Sequence, residues 1–314
     1  MRALSQKGQY LQDDWVEKLQ RLEKLGYSSF LVSDHLNNQW ESVATLAAVA
    51  AVTRHLKIGS LVMNVGLRHP AVLAQAAATI HLISRGRLEF GIGAGWVKTE
   101  YEQAGIDYDS PALRIERLEE TLTAIRSMWT QDTTTFTGKH VRLSNIASPT
   151  PLPKGDRPRI MVGGGGRRLL SVAGRHADIV SIVPSWPKGR ILNDSTSDQT
   201  PAKIREKAQW VMESAESIGR NPDEIELSTF HWRLKMTKNR DEALREYSRT
   251  FGISFAALSQ TPFFLVGTPE EMCERILQLH EDAGLTYFVI PGSMDEFGTM
   301  EEFSASVIRP ILGR

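Results

Sequence analysis

Residues 159–170 read Arg159-Ile160-Met161-Val162-Gly163-Gly164-Gly165-Gly166-Arg167-Arg168-Leu169-Leu170, an apolar strand carried straight into a helix through four glycines. Glycine admits φ > 0 and close backbone approach, and successive N–H groups of such a turn can converge on one anion at the positive end of the following helix. A plain strand-to-helix turn uses the same residues, so this segment alone leaves both readings open. In either reading, strand then helix is one unit of a repeat, and the chain repeats it in both directions.

Toward the N-terminus, a short strand at Arg2 to Ser5 precedes a helix with Trp15, Val16, Leu19, Leu22 and Leu25, which Asp13 or Asp14 can cap and Gly26 stops. Strand Ser29 to Ser33, helix 42–53, strand Leu56 to Met63, helix 70–83, strand Arg87 to Gly91 and a long helix from Pro111 to Thr130 follow. Beyond the glycines come a helix at 167–175, strand Asp178 to Val183, helix 201–218 and strand Glu224 to Trp232. Thr268-Pro269-Glu270-Glu271 is a capping box with proline at the first helical position; its helix ends at Gly284, and Tyr287-Phe288-Val289-Ile290 is a buried strand. Strands alternating with helices imply a parallel sheet. Eight such strands in 314 residues, modestly above the ~250 residues usual for the fold, predict an α/β protein with one (β/α)8 TIM barrel over residues 1–314. An open doubly wound sheet is the alternative. Three stretches exceed the minimal repeat and read as insertions near the ligand: about 131–158 with a Thr-rich hairpin, 184–200, and 249–266 with clustered aromatics.

Composition bounds the partner. With 41% hydrophobic and 24% charged residues the chain has ample material for a packed core. Lys plus Arg and Asp plus Glu both total 37, so no global field holds it on nucleic acid or an anionic membrane, and a small-molecule substrate is expected. The absence of a membrane-length apolar run, together with the polar Met1 to Gly8 opening, predicts a cytoplasmic protein. The single cysteine, Cys273, falls on the apolar side of a helix with Met272, Ile276 and Leu279 and reads as packing.

In a barrel the chemistry is sought where strands end. Strand two ends in Ser33-Asp34-His35, strand three in Asn64-Val65-Gly66-Leu67-Arg68-His69, strand four in Gly91-Ile92-Gly93-Ala94-Gly95-Trp96, and strand five in the glycine run. Gly93, Ala94 and Gly95 would let backbone approach a flat ring with Trp96 as a wall, or would simply pack tightly; the spacing is not a dinucleotide fingerprint. His35, an imidazole beside Asp34 at a strand end, reads as an acid or base or as a satisfied structural histidine. Asp34 can accept from a ligand's polar edge. His69 precedes Pro70 and reads as a helix cap. No metal-ligand spacing, G-x-S-x-G elbow or P-loop is present.

Ser33-Asp34-His35, Arg68-His69-Pro70-Ala71, Ser84-Arg85-Gly86-Arg87, Gly91 to Trp96 with Glu100-Tyr101, the glycine run and Val266-Gly267-Thr268-Pro269-Glu270-Glu271 together resemble the bacterial luciferase-like monooxygenase superfamily over nearly the whole chain. Within it the chain is most similar to oxidoreductases that use coenzyme F420, an 8-hydroxy-5-deazaflavin with a phosphate-bearing tail. The resemblance implies a ring held at the strand ends and contacts from Asp34, Asn64, Ala94, Gly95, Gly165 and Gly166. It places the tail phosphate in the Gly163-Gly164-Gly165-Gly166 cradle beside Arg167. It further implies His35 as the proton-transfer residue, a non-proline cis bulge near Leu61-Val62-Met63, hydride exchange with a small organic substrate, and a homodimer. The branch acting on glucose 6-phosphate has an acidic residue where this chain has Trp96, which implies a different substrate. The alternatives are an FMN-dependent monooxygenase, a cofactor-binding protein without catalysis, and a barrel enzyme whose cradle holds a phosphorylated substrate.

Overall fold

The computed structural model describes residues 2–5, 14–36, 39–148, 152, 155–186, 196–292 and 297–313. The strands are β1 (Arg2–Ser5), β2 (Ser29–Val32), β3 (Lys57–Ser60), β4 (Met63–Asn64), β5 (Leu88–Gly93), β6 (Thr133–Thr137), β7 (Arg142–Ala147), β8 (Arg159–Gly164), β9 (Ile179–Ile182), β10 (Glu226–Phe230), β11 (Arg233–Met236), β12 (Phe264–Gly267) and β13 (Leu285–Gly292). The helices are α1 (Trp15–Lys24), α2 (Ser42–Val52), α3 (Pro70–Ile83), α4 (Lys98–Ala104), α5 (Pro111–Thr130), α6 (Arg167–His176), α7 (Pro201–Glu216), α8 (Arg240–Phe251), α9 (Phe255–Gln260), α10 (Pro269–Ala283), α11 (Phe297–Phe303) and α12 (Arg309–Leu312), with a π-helical turn at Ser304–Ile308 before the last.

Parallel pairings close the sheet on itself in the order β1, β2, β3 and β4, β5, β8, β9, β10, β13 and back to β1. β3 and β4 are two halves of one position, separated by a cis peptide between Leu61 and Val62, so the ring is the expected TIM barrel. The short opening strand pairs through all of Arg2, Ala3, Leu4 and Ser5 on both sides. Strands covered on both faces read as continuous apolar runs, and β2, β5, β9 and β12 are buried at every position.

Local signals set the helix ends. α10 has its capping box, with Thr268 accepting from Glu271 N and the Glu271 side chain from Thr268 N, and Gly284 closes it at φ 66°. Cys273 is buried on its inner face. His69 caps α3, its Nδ1 accepting from the Ala71 amide at 3.2 Å. At α1 the N-cap residue is Asp14, but its carboxylate pairs with Lys18 at 3.1 Å and bonds no amide of the first turn; Asp13 lies outside the described residues.

The insertions carry structure of their own. β6 and β7 form the antiparallel hairpin of the first, of which residues 149–151, 153 and 154 lie outside the described residues. In the second, 187–195 lie outside them. The seventh barrel strand ends at Phe230, earlier than the Trp232 expected, because the chain leaves the ring there and β11 pairs in parallel with β12, a strand inside the third insertion.

Candidate functional site

Every barrel strand from β2 round to β13 delivers its C-terminal residues to one cavity of about 1010 Å³, ample for a drug-sized ligand. On one arc it is lined by Asp34, His35, Val62, Asn64, Ala94, Gly95, Gly163, Gly164 and Gly165; on the other by Trp186, Phe230, Trp232, Arg233, Lys235, Tyr247 and Phe263. Gly166 and Arg167 sit just outside. Gly166 is the exposed N-cap of α6, and the Arg167 guanidinium lies 5.7 Å from the Trp210 ring centroid.

His35 is held by a residue that its own sequence neighbourhood does not announce. Its Nδ1 is 2.9 Å from Oε1 of Glu100 on α4, a carboxylate that is itself buried. An ionised carboxylate only accepts, so Nδ1 carries the hydrogen and Nε2 is the basic ring nitrogen. Trp96 meets the imidazole edge-on at 6.0 Å, and Trp186 in turn lies 4.6 Å from Trp96. These indoles wall the histidine.

Asp34 is a hub. Arg68 donates to both carboxylate oxygens at 2.7 and 2.9 Å, Ser42 Oγ donates to Oδ1 at 2.7 Å, and the Asn64 amide donates to Oδ2 at 2.9 Å. All four lone-pair directions of a carboxylate are thus occupied from within the protein, which makes Asp34 an anchor for the third strand as well as a wall of the cavity. The Asn64 side chain accepts at Oδ1 from Tyr101 Oη at 2.7 Å and from Gly66 N at 2.9 Å, leaving Nδ2 as a donor with no protein partner among the described residues. Burial holds the Tyr101 phenol above its ordinary range, with the Asn64 bond opposing, so it remains a neutral donor.

The glycines divide into two uses. Alternate residues of a strand share a face, and Gly91, Gly93 and Gly95 turn theirs toward the third strand: a Cβ at Gly91 would strike the Ser60 carbonyl, at Gly93 the Val62 side chain, and at Gly95 Tyr101 and Asn64. Gly95 also requires φ +74°. This G-x-G-x-G therefore accommodates the bulge at the cis Leu61–Val62 peptide, within the segment that the family resemblance implied. Of the four glycines that end β8 and lead into α6, none uses positive φ, so the left-handed backbone that glycine allows is not the reason for them. Gly165 is demanded by the backbone of Val183, Pro184 and Ser185, Gly164 by Leu169, and Gly163 is a bare patch of cavity wall. α6 has no side-chain cap, and its first intrahelical bond is Leu170 N to Gly166 O at 3.0 Å.

The opposite arc differs. Phe230, Trp232, Phe263 and Tyr247 supply an aromatic surface, and Arg233 and Lys235 stand two residues apart on β11. Lys235 is paired with Glu246 at 2.7 Å. Among the described residues the Arg233 guanidinium has no carboxylate partner; it stacks 4.0 Å from the Trp232 ring centroid and donates to the Trp232 carbonyl at 2.8 Å. Below it, Lys207 of α7 is wholly buried and donates to Asp198 Oδ2 at 2.7 Å and to the Val183 carbonyl at 3.1 Å, while the same Asp198 oxygen accepts from Ser185 N at 2.9 Å.

Sequence reasoning brought Asp34, His35, Asn64, Ala94, Gly95 and Gly163 to Gly165 to one cavity. It missed the Glu100 partner of His35, the Arg68 fork on Asp34, and Trp186 and Arg233. Glu100 and Arg68 lay within recognised motifs; for the other two no local signal exists.

Comparison with known proteins agrees with this geometry. Residues 5–262 match the family model described as luciferase-like monooxygenase. An F420-dependent glucose-6-phosphate dehydrogenase of Amycolatopsis mediterranei (strain U-32) is 31% identical over 292 residues, covering 90% of this chain and 82% of that protein. Among solved structures, an F420-dependent secondary alcohol dehydrogenase in complex with an F420-acetone adduct superimposes with a TM-score of 0.80 at 20% identity, covering 98% of both chains. A riboflavin lyase with modified FMN and riboflavin does so with a TM-score of 0.73 at 16% identity, covering 100% of this chain and 92% of that one. The barrel, the split third strand and the site at the strand ends thus have one explanation: this chain belongs to the luciferase-like monooxygenase family of enzymes.

Proposed function

We propose that the chain is an F420-dependent oxidoreductase that exchanges a hydride with a carbon of a small organic substrate. The observation that carries the reading is the meeting, in one cavity, of a half-buried His35 held by the buried Glu100 carboxylate with a bare backbone wall at Gly163. The residues fit the group: Gly163, Ala94 and Gly95 offer flat backbone to a ring, Asn64 Nδ2 is a donor without a partner among the described residues, and the uncapped amides opening α6, where Arg167 is the first residue, suit a phosphate. A relative named for F420 dependence at 31% identity points to the same cofactor. When bound, the deazaflavin supplies a hydride or accepts one. The protein contributes positioning and a proton. Glu100 fixes the imidazole tautomer so that Nε2 takes or delivers the balancing proton, and Trp96, backed by Trp186, holds the ring edge-on.

Fluorescence titration of the apoprotein with F420 and with FMN in parallel tests the cofactor. Tight binding of F420 alone is expected, whereas preference for FMN would replace this mechanism with oxygen chemistry. His35→Ala is expected to leave F420 affinity unchanged and to lower turnover by about 10² to 10⁴-fold; unchanged turnover removes His35 from the reaction.

A further inference from the structure

The cofactor reading leaves one cation in the cavity without a role. Arg233 enters on β11, outside the barrel ring, and lines the wall opposite Asp34 and Gly163. Arginine stays protonated and offers a planar fork of donors suited to carboxylate or phosphate. Its neighbours do not spend that capacity. Among the described residues it has, besides one backbone carbonyl, the faces of Trp232 at 4.0 Å and Phe251 at 5.1 Å. Lys235, next on the same face, is already neutralised by Glu246, and the other titratable group near the guanidinium is the phenol of Tyr247. Burial, opposed by the Tyr247 phenol and by no carboxylate among the described residues, disfavours the charged form of Arg233, as fits a site completed by an incoming anion. Around it, Phe230, Phe263 and Trp232 provide apolar and aromatic surface.

We propose that Arg233 docks an anionic group, a carboxylate or a phosphate monoester, of a substrate whose flat apolar body lies against Phe230, Phe263 and Trp232. The inference rests on the proposed function only in giving the facing arc to the cofactor; the anion site itself can be tested without it. Such docking would fix which substrate carbon faces the cofactor arc and would make Arg233 a specificity determinant.

Calorimetric titration with 2-naphthoate, 2-naphthyl phosphate and the neutral 2-naphthylmethanol, on protein with and without F420, tests it. Either or both anions are expected to bind about tenfold or more tightly than the alcohol, the scale of a charge-assisted hydrogen bond, and the two anionic arms distinguish carboxylate from phosphate. Arg233→Gln should abolish that preference, Arg233→Lys should keep part of it, and F420 affinity should stay within about twofold in both, as expected of a residue away from the cofactor arc. Equal binding of the three probes to the wild type overturns the proposal without any variant. It is equally overturned if the preference survives in Arg233→Gln or if that variant loses F420 instead. Failure of F420 to bind with the anion preference intact would sink the cofactor reading and leave the Arg233 site standing.

Discussion

The two arcs of the cavity are built on different principles. From β2 to β8 the wall is a hydrogen-bonded lattice: Asp34, Arg68, Ser42, Asn64 and Tyr101 satisfy one another, and glycines at alternate positions bring the third and fourth strands into contact. From β9 to β13 the wall is aromatic, with Arg233 lying over an indole, and the polar groups buried behind it stand apart from one another: Lys207 reaching to Asp198 and His231 against a carbonyl. A lattice holds one shape for one ligand, whereas an aromatic wall with sparse polar points can be recut around another. The difference teaches that the first arc is built to hold one ligand geometry, whereas the second sets an apolar contour with few fixed polar points.

The sharpest way to break the comparison is Asp34→Asn. The amide would present a donor to the Arg68 guanidinium, which would keep Glu41 at 2.7 Å as its remaining ion pair. Disrupting a largely buried pair on one side costs about 4 kcal/mol, and F420 binding should fall with it because the Asn64 amide loses its acceptor. Thermal and denaturant melts with and without cofactor measure both. A variant that melts and binds like the wild type would mean that the lattice does not hold the first arc.

The second arc should instead be the acid-sensitive one. His231, at the end of β10, is fully buried, its Nδ1 2.6 Å from the Pro262 carbonyl and its Nε2 without a partner among the described residues. Burial pushes the imidazole down to about 4, with the carbonyl bond opposing. Between pH 6.5 and about 4 the unfolded chain binds a proton that the folded chain refuses, so stability falls as pH falls through that window. The full effect is about 3 kcal/mol. His231→Gln should flatten the dependence in urea unfolding at pH 7 and pH 4.5. The same slope in that variant would assign the acid sensitivity elsewhere.

Legibility followed the same divide. The first arc was readable because its parts are local: Asp34-His35 ends a strand, the glycines end two others, and each lies within a few residues of the element that positions it. Glu100 was hidden despite this, being 65 residues from His35 on a short helix where a glutamate ordinarily faces water. In the second arc, the apolar run through Trp232 reads as one continuous strand; only pairing with β12, about thirty residues on, makes it leave the barrel at Phe230 and turn Arg233 into the cavity. Of the two properties that suit glycine to the run, close approach and not positive φ is the one used, at Gly165 against the Val183–Ser185 backbone.

The smallest effect sharpens the comparison most. Lys207→Met keeps much of the buried length and removes the ammonium that ties α7 to Asp198 and the Val183 carbonyl. Asp198 is partly exposed and retains the Ser185 amide, so it can be rehydrated, and the loss of stability should be about 2 kcal/mol, below that of a fully buried broken pair. What changes is local. Ser185 and Trp186 lose part of their anchorage, the Trp96–Trp186 contact loosens, and KM for substrate should rise with F420 affinity unaltered, alongside a change in near-ultraviolet circular dichroism. Equal weakening of cofactor and substrate would show that the two arcs are mechanically one. A selective rise in KM would show that Lys207 supports the substrate arc alone, although the same loop packs on Gly165 of the cofactor arc.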